Sequence, residues 1–211
     1  MNNLQSLSYF YPELLLTVVI IAVVIYDLFL KSKDSGKVGW LLVFGLVLVS
    51  IAIYLQDSNI TTTLFTDAIV LDPFSTFFKM VIIIATILVA IFSLYSKELD
   101  DYRMGEYFTL LGIVTFGLFL MVSSIDLVMV YLSIEIVSIM SFVLAGYLKQ
   151  STRSNEAALK YVVYGAFSSG IMLFGLSYVY GLTGSTNFFQ IQHVLLSSGN
   201  DNGPAIMLSV V

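Results

Sequence analysis

The stretch DLVMVYLSIEIVSIMSFVLAGY, residues 126–147, decides the fold class. Its apolar run is long enough for a helix to cross a bilayer, which takes roughly 20 residues. It contains one charge, Glu135, about 13 Å along the helix from Asp126 at 1.5 Å per residue. That depth is close to the midplane, where a charge costs several kcal/mol and is rare unless it is used. Tyr131 lies four residues before Glu135 and Ser138 three after, so both share its helix face. Either hydroxyl can hydrogen-bond the carboxylate or order water beside it. Burial and a nearby cation pull a carboxyl group's proton affinity in opposite directions, and a group balanced between them can exchange a proton near neutral pH. The alternative is a Glu that only ties helices together.

Apolar segments of the same kind recur along the chain. They fall at about 12–30, 38–55, 73–95, 106–123, 126–148 and 156–181, and a further one starts at 204. Hydrophobic residues make up 58% of the 211 and charged residues 11%, far below a soluble domain. No strand-like alternation competes with the helical pattern. The expected fold is an all-α polytopic membrane protein with about six complete transmembrane helices and the start of a seventh, forming one transmembrane domain over residues 1–211. The seventh segment, GPAIMLSVV, is read as opening a span of a longer protein, with a short re-entrant tail as the alternative.

The cations orient the bundle. Lys31, Lys33, Lys37, Lys97, Arg103, Lys149 and Arg153 lie in alternate loops on one side. The opposite loops and the N-terminal tail carry none. The positive-inside rule then places the N-terminus outside and the basic loops in the cytoplasm or its equivalent. Pro12, Pro73 and Pro204 each open a segment at the outer face, where a missing N–H has no partner to lose. Trp40 marks an inner interface.

Composition narrows the function classes. The chain has no cysteine and one histidine, His193, so it supplies neither a Cys-ligated iron–sulfur cluster nor a bis-His haem. There is no Gly-rich phosphate loop. The net charge is −5 without a basic cluster, so nucleic acid is an unlikely partner. The partner expected from composition is the lipid bilayer.

A second intramembrane charge is Lys160, near the inner start of the sixth segment. Tyr164 and Ser168 continue its stripe, and Glu156 sits four residues before it. A lysine in an apolar setting gives up its proton more readily, which suits a relay. Equally, Lys160 can snorkel to the interface and pair with Glu156. Helix arithmetic puts Lys160 about 12 Å short of the depth of Glu135, too far for a salt bridge. Lys79 is expected to snorkel to the outer interface or to pair with Asp72. Asp27 is expected to pair with Lys31, Glu13 to complement a helix dipole, and His193 to lie on the surface. Gly165/Ser169 and Ala166/Gly170 are expected to permit close helix packing.

The string EAALKYVVYGAFSSGIMLFGLSYVYGLTGST (156–186), with Glu135 twenty-five residues before its lysine, resembles subunit N of bacterial NADH–quinone oxidoreductase, respiratory complex I. PELLLTVVIIAVVIYDLFL (12–30) and DPFSTFFK (72–79) look similar to the same subunit's first and third helices. The resemblance covers essentially the whole chain, and the EAALKY–GAFSS–LFG block is its most specific part. It implies an antiporter-like helix bundle, of which the first half is here. It implies a non-redox, proton-translocating subunit in the membrane arm, in an inner (plasma) membrane or its organelle equivalent. Glu135 and Lys160 match the family's functional glutamate and lysine. NADH, FMN, iron–sulfur clusters and quinone are expected in partner subunits, with no cofactor or metal in this chain. The resemblance also expects further intramembrane lysines past Val211, one of them placed to approach Glu135. Other readings are a subunit of a multi-subunit cation/proton antiporter or membrane-bound hydrogenase, and a structural scaffold bundle without transport.

The orientation is testable with single cysteines in this cysteine-free chain. A membrane-impermeant thiol reagent added outside is expected to label Ser58→Cys and spare Ser35→Cys. The opposite pattern contradicts the topology.

Overall fold

The computed structural model describes residues 3–30, 36–56, 61–96, 99 and 104–197. The seventh apolar segment and the cations Lys31, Lys33, Lys97 and Arg103 lie outside the described residues. A short helix α1 (Asn3–Tyr9) leads into α2 (Tyr11–Phe29) and α3 (Gly36–Leu55). A β-hairpin follows, β1 (Thr62–Leu64) and β2 (Ile69–Leu71). Then come α4 (Pro73–Leu94), α5 (Met104–Ser123), α6 (Leu127–Ala145), α7 (Thr152–Thr183) and α8 (Phe188–Ser197). Six of these helices, α2 through α7, are long and apolar enough to span a membrane. They run up and down: α2, α4 and α6 start on one side, the amino-terminal side. Helices α3, α5 and α7 start on the other, the basic side, which carries Lys149 and Arg153.

Local chemistry sets the helix ends. The Asp72 carboxylate accepts from the Ser75 amide at 2.7 Å, and Ser75 Oγ accepts in return from the Asp72 amide, closing a capping box ahead of Pro73. Pro12 occupies the first turn of α2. Asp126 caps α6 by accepting from the Val128 and Met129 amides. Ser151 caps α7, five residues ahead of the first residue expected in the sixth segment. Gly184, at φ +70°, ends α7 in the left-handed conformation that glycine adopts without strain.

Helix α5 is the hub, packing against α2, α3, α4 and α6. The core of the α2–α5 block is apolar: Leu16 and Val23 on α2, Leu42 and Leu46 on α3, Ile83 on α4, and Phe108 and Phe119 on α5 are all buried. Apolar faces do not attract one another in lipid as they do in water, so close packing has to hold the helices together. Glycines permit it. A Cβ at Gly45 would overlap the Val19 side chain of α2, and one at Gly105 would overlap the Asp27 carboxyl group. Helix α6 packs on α5, and α7 packs on α6 and the short α8. Beyond Ser154, the side chains of α7 are exposed or half-exposed.

The hairpin was not expected from the sequence. Its strands are three residues long, too short to show alternation. Its turn places Phe65, Thr66 and Asp67 at φ +52°, +58° and +65°. Each such non-glycine residue costs about 1–2 kcal/mol, so neighbours must hold the turn. The Phe65 amide donates to buried Ser6 Oγ (3.3 Å), and the Phe65 ring meets Phe10 edge-on. Asn187 Nδ2 donates to the Asp67 carbonyl at 3.0 Å.

The Gly45–Val19 contact gives a packing test. Gly45→Ala should lower stability by about 1–3 kcal/mol through overpacking. Adding Val19→Ala should restore part of the loss, read as the thermal midpoint of the detergent-solubilised protein. An unchanged midpoint in Gly45→Ala contradicts the close approach.

Candidate functional site

Glu135 is half-buried in the middle of α6, eight residues from its start. The Tyr131 hydroxyl lies one turn away, within hydrogen-bonding reach of the Glu135 carboxylate. The carboxylate oxygen Oε1 is buried, and no donor among the described residues reaches it. Behind it, α5 approaches closely at Gly117, where a Cβ would press on Ile136 and Val137. A buried carboxylate oxygen without a hydrogen-bond donor is costly in an apolar interior.

Lys160 behaves differently. It donates to Glu156 at 2.6 Å, and the two side chains are 66% and 62% exposed within the described residues. The packing of α6 on α7 sets the height between the two charges. Phe142 stacks on Tyr161 and fills the notch left by Gly165. Glu135 lies seven residues beyond Phe142 toward the amino-terminal side, whereas Lys160 adjoins Tyr161. Lys160 lies one residue further toward the basic side than Tyr161, so Glu135 and Lys160 are about 12 Å apart along the helix axes. Between α6 and α7 lies a groove of about 940 Å³. Ser138, Tyr164 and Ser168 line it, so three of the supporting hydroxyls share one space. Glu135, Lys160, Tyr131 and Glu156 are not on its walls.

The amino-terminal end of α6 and the carboxyl-terminal end of α7 are stitched together. Asp126 Oδ2 accepts from the Thr186 hydroxyl at 2.5 Å, the Leu127 amide donates to the Thr186 carbonyl, and the Phe188 amide donates to the Ile125 carbonyl. At the basic side, Ser154 Oγ donates to the Ala145 carbonyl at 2.8 Å. The α6–α7 hairpin is pinned at both ends, and the groove opens between them.

The structure corrects several charge assignments. Lys79 neither snorkels nor pairs with Asp72, which is occupied as the α4 cap. It crosses to α2 and donates to Glu13 Oε1 at 2.5 Å, with both side chains 3% exposed. Glu13 therefore serves an ion pair in addition to standing in the first turn of α2. The signal was present in the sequence: α2 and α4 run in the same direction, and both charges fall near the start of their helices. Asp27 is buried, with its carboxyl group against Gly105, and its expected pairing with Lys31 falls outside the described residues. Burial pushes the nearby Tyr147 phenol up to about 12, with Glu106 and Asp27 adding to the effect. Of the small residues on α7, Gly165 does pack, whereas Ala166 is exposed and Gly170 faces open space. His193 is exposed, on α8. Two buried hydroxyl links were also missed: Thr86 to Thr115 at 3.1 Å, and Ser93 to Tyr107 at 2.8 Å. Single Thr and Ser residues in apolar runs carry no sequence signal that distinguishes a cross-helix link from a bond to the preceding turn.

Residues 123–211 match the family described as NADH:quinone oxidoreductase/Mrp antiporter, TM. The chain is 41% identical over 191 residues to NADH-quinone oxidoreductase subunit N 2 of Chloroherpeton thalassium, a match covering 89% of this chain and 37% of that protein. The fold is similar to a chain of the membrane-bound sulfane sulfur reductase, an archaeal respiratory membrane complex. That match has a TM-score of 0.77 at 20% identity, covering 96% of this chain and 42% of the other. It is also similar to a chain of respiratory complex I from Thermus thermophilus, with a TM-score of 0.69 at 20% identity, covering 88% and 42%. The chain thus spans about two fifths of the length of the relatives it matches. Six apolar spans, a mid-helix glutamate with a buried oxygen, and these similarities lead to one assignment: the chain belongs to the antiporter-like membrane subunits of the NADH-quinone oxidoreductase subunit N family.

Proposed function

We propose that this chain is part of a proton-translocating membrane-arm subunit of an NADH–quinone oxidoreductase. The observation that carries the reading is Glu135, with Tyr131 one turn away and a carboxylate oxygen buried without a donor among the described residues. In a bilayer such a group is functional by default. Its role is to hold and release a proton near the midplane, with Tyr131 orienting the carboxylate. Ser138, Tyr164 and Ser168 supply hydroxyls to water in the α6–α7 groove. Lys160 and Glu156 sit nearer the basic side and hand protons between that side and the groove. The distance of about 12 Å between Glu135 and Lys160 requires an intervening carrier, water or a lysine from the remainder of the longer subunit. Redox chemistry belongs to partner subunits that hold FMN, iron–sulfur clusters and the quinone site. The membrane is the inner (plasma) membrane, with the N-terminus outside.

A second reading is a subunit of a cation/proton antiporter. The matched family's description, which names both classes, favours keeping it. Co-purification from membranes separates the two: a flavin- and iron–sulfur-containing dehydrogenase supports the first, and hydrophobic partners without redox centres support the second.

The proton role is tested in the full-length subunit within its assembled complex. Membrane vesicles given NADH and a quinone, with a pH-sensitive dye, report proton uptake. Glu135→Gln keeps the volume and cannot cycle a proton, and uptake per NADH should fall about tenfold or more while assembly is retained. Lys160→Ala should change uptake by less than about twofold, because the exposed pair is weakly coupled. Wild-type uptake in assembled Glu135→Gln complex contradicts the relay.

A further inference from the structure

The proton reading leaves one buried charge pair unused. Glu13 and Lys79 are 66 residues apart, bonded at 2.5 Å and closed off from solvent. Lys79 lies about 9 Å along α4 from Pro73, inside the bundle. Helices α2 and α4 sit diagonally, each packed on α3 and α5 rather than along the other. The long lysine side chain is a strut across that diagonal. The buried side chains around it carry no comparable specificity. Leu16, Val19 and Val23 on α2 and Leu42, Leu46 and Val49 on α3 are near-equivalent aliphatics. In lipid, such faces discriminate poorly between one helix rotation and another.

The pair also lacks the surroundings of a proton carrier. The next residue on the buried face of α4 is Ile83, which is apolar. The next polar group, Thr86, is seven residues on, about 10 Å away. Its hydroxyl is already engaged with the Ile82 carbonyl and Thr115 Oγ1. Tyr11, near Glu13, donates its hydroxyl to the Ala52 carbonyl of α3. We propose that Glu13 and Lys79 form an assembly brace that fixes the rotation and depth of α2 relative to α4, and that the pair carries no proton during turnover. Any other setting of the two helices leaves two unpaired charges in an apolar interior, a far larger penalty than misplacing a Leu or Val.

The test uses the full-length subunit in its native complex. Immunoblots of membranes report the amount of subunit, and dye-monitored vesicles report protons moved per electron delivered to quinone. Glu13→Gln and Lys79→Met each leave one buried charge unpaired, and the amount should fall about tenfold. The double variant Glu13→Leu/Lys79→Met and the swapped pair Glu13→Lys/Lys79→Glu remove that imbalance. At least one of them should regain most of the protein, with wild-type protons per electron. Normal amounts in both single variants would overturn the brace. So would failure of both double variants to regain protein. Regained protein with lost proton transfer would convert the pair into a proton-handling site. The brace rests on the proton reading only for its second clause. If wild-type vesicles move no protons, that reading fails, while the immunoblot series still decides the brace.

Discussion

A polar group in hydrocarbon has no water to bond, so each one must find its partner inside the protein. Most of this chain obeys that constraint locally. Thr17, Thr86, Ser93, Thr115, Ser133, Ser141 and Thr183 all donate to the carbonyl four residues earlier. Thr86 and Ser93 also reach neighbouring helices. Glu13 and Lys79 satisfy one another across the bundle. Against that background, Thr62 Oγ1, Ser123 Oγ and Glu135 Oε1 are buried with no partner among the described residues, and Glu135 is the charged exception among them. The exception stands in the segment that the antiporter family covers. A site that must exchange protons cannot be as fully bonded as the groups that only hold the fold.

The architecture separates those two tasks. Helices α2–α5 form a block with a continuous apolar core, braced on its diagonal by Lys79. Helix α5 closes the block and offers its far face to α6. The α6–α7 hairpin hangs on that face, pinned by Asp126 and Thr186 at one end and by Ser154 and Ala145 at the other. Between the pins the helices part, and the hydroxyls of Ser138, Tyr164 and Ser168 face one groove. Rigidity at both ends fixes the depth of Glu135, and the opening leaves room for water-sized species beside the proposed relay.

Much of this was legible in the sequence, for physical reasons that can be named. Apolar runs of fixed length fix spans, because bilayer thickness permits few alternatives. Pro12 and Pro73 announce helix starts, because a missing N–H has no partner to lose in the first turn. Glu135 stood out because a lone charge at midplane depth is expensive. The partners of Glu13 and Lys79 were misread because each had a plausible explanation nearby: a helix dipole for one, Asp72 or the interface for the other. Local bookkeeping cannot show that Asp72 is already spent on the Ser75 amide. The hairpin at residues 62–71 was invisible because its left-handed turn is imposed by Ser6, Phe10 and Asn187, which are distant in sequence. Gly170 stands at packing spacing and meets no neighbour among the described residues.

The central claim is that the Glu135 carboxyl group changes protonation during turnover. Infrared difference spectroscopy of the full complex, reduced minus oxidised, reads that change directly through the carboxylic C=O stretch. A carboxyl band that appears or shifts in wild type and disappears in Glu135→Gln is the predicted result. Identical difference spectra in the two proteins, with turnover intact, would contradict it.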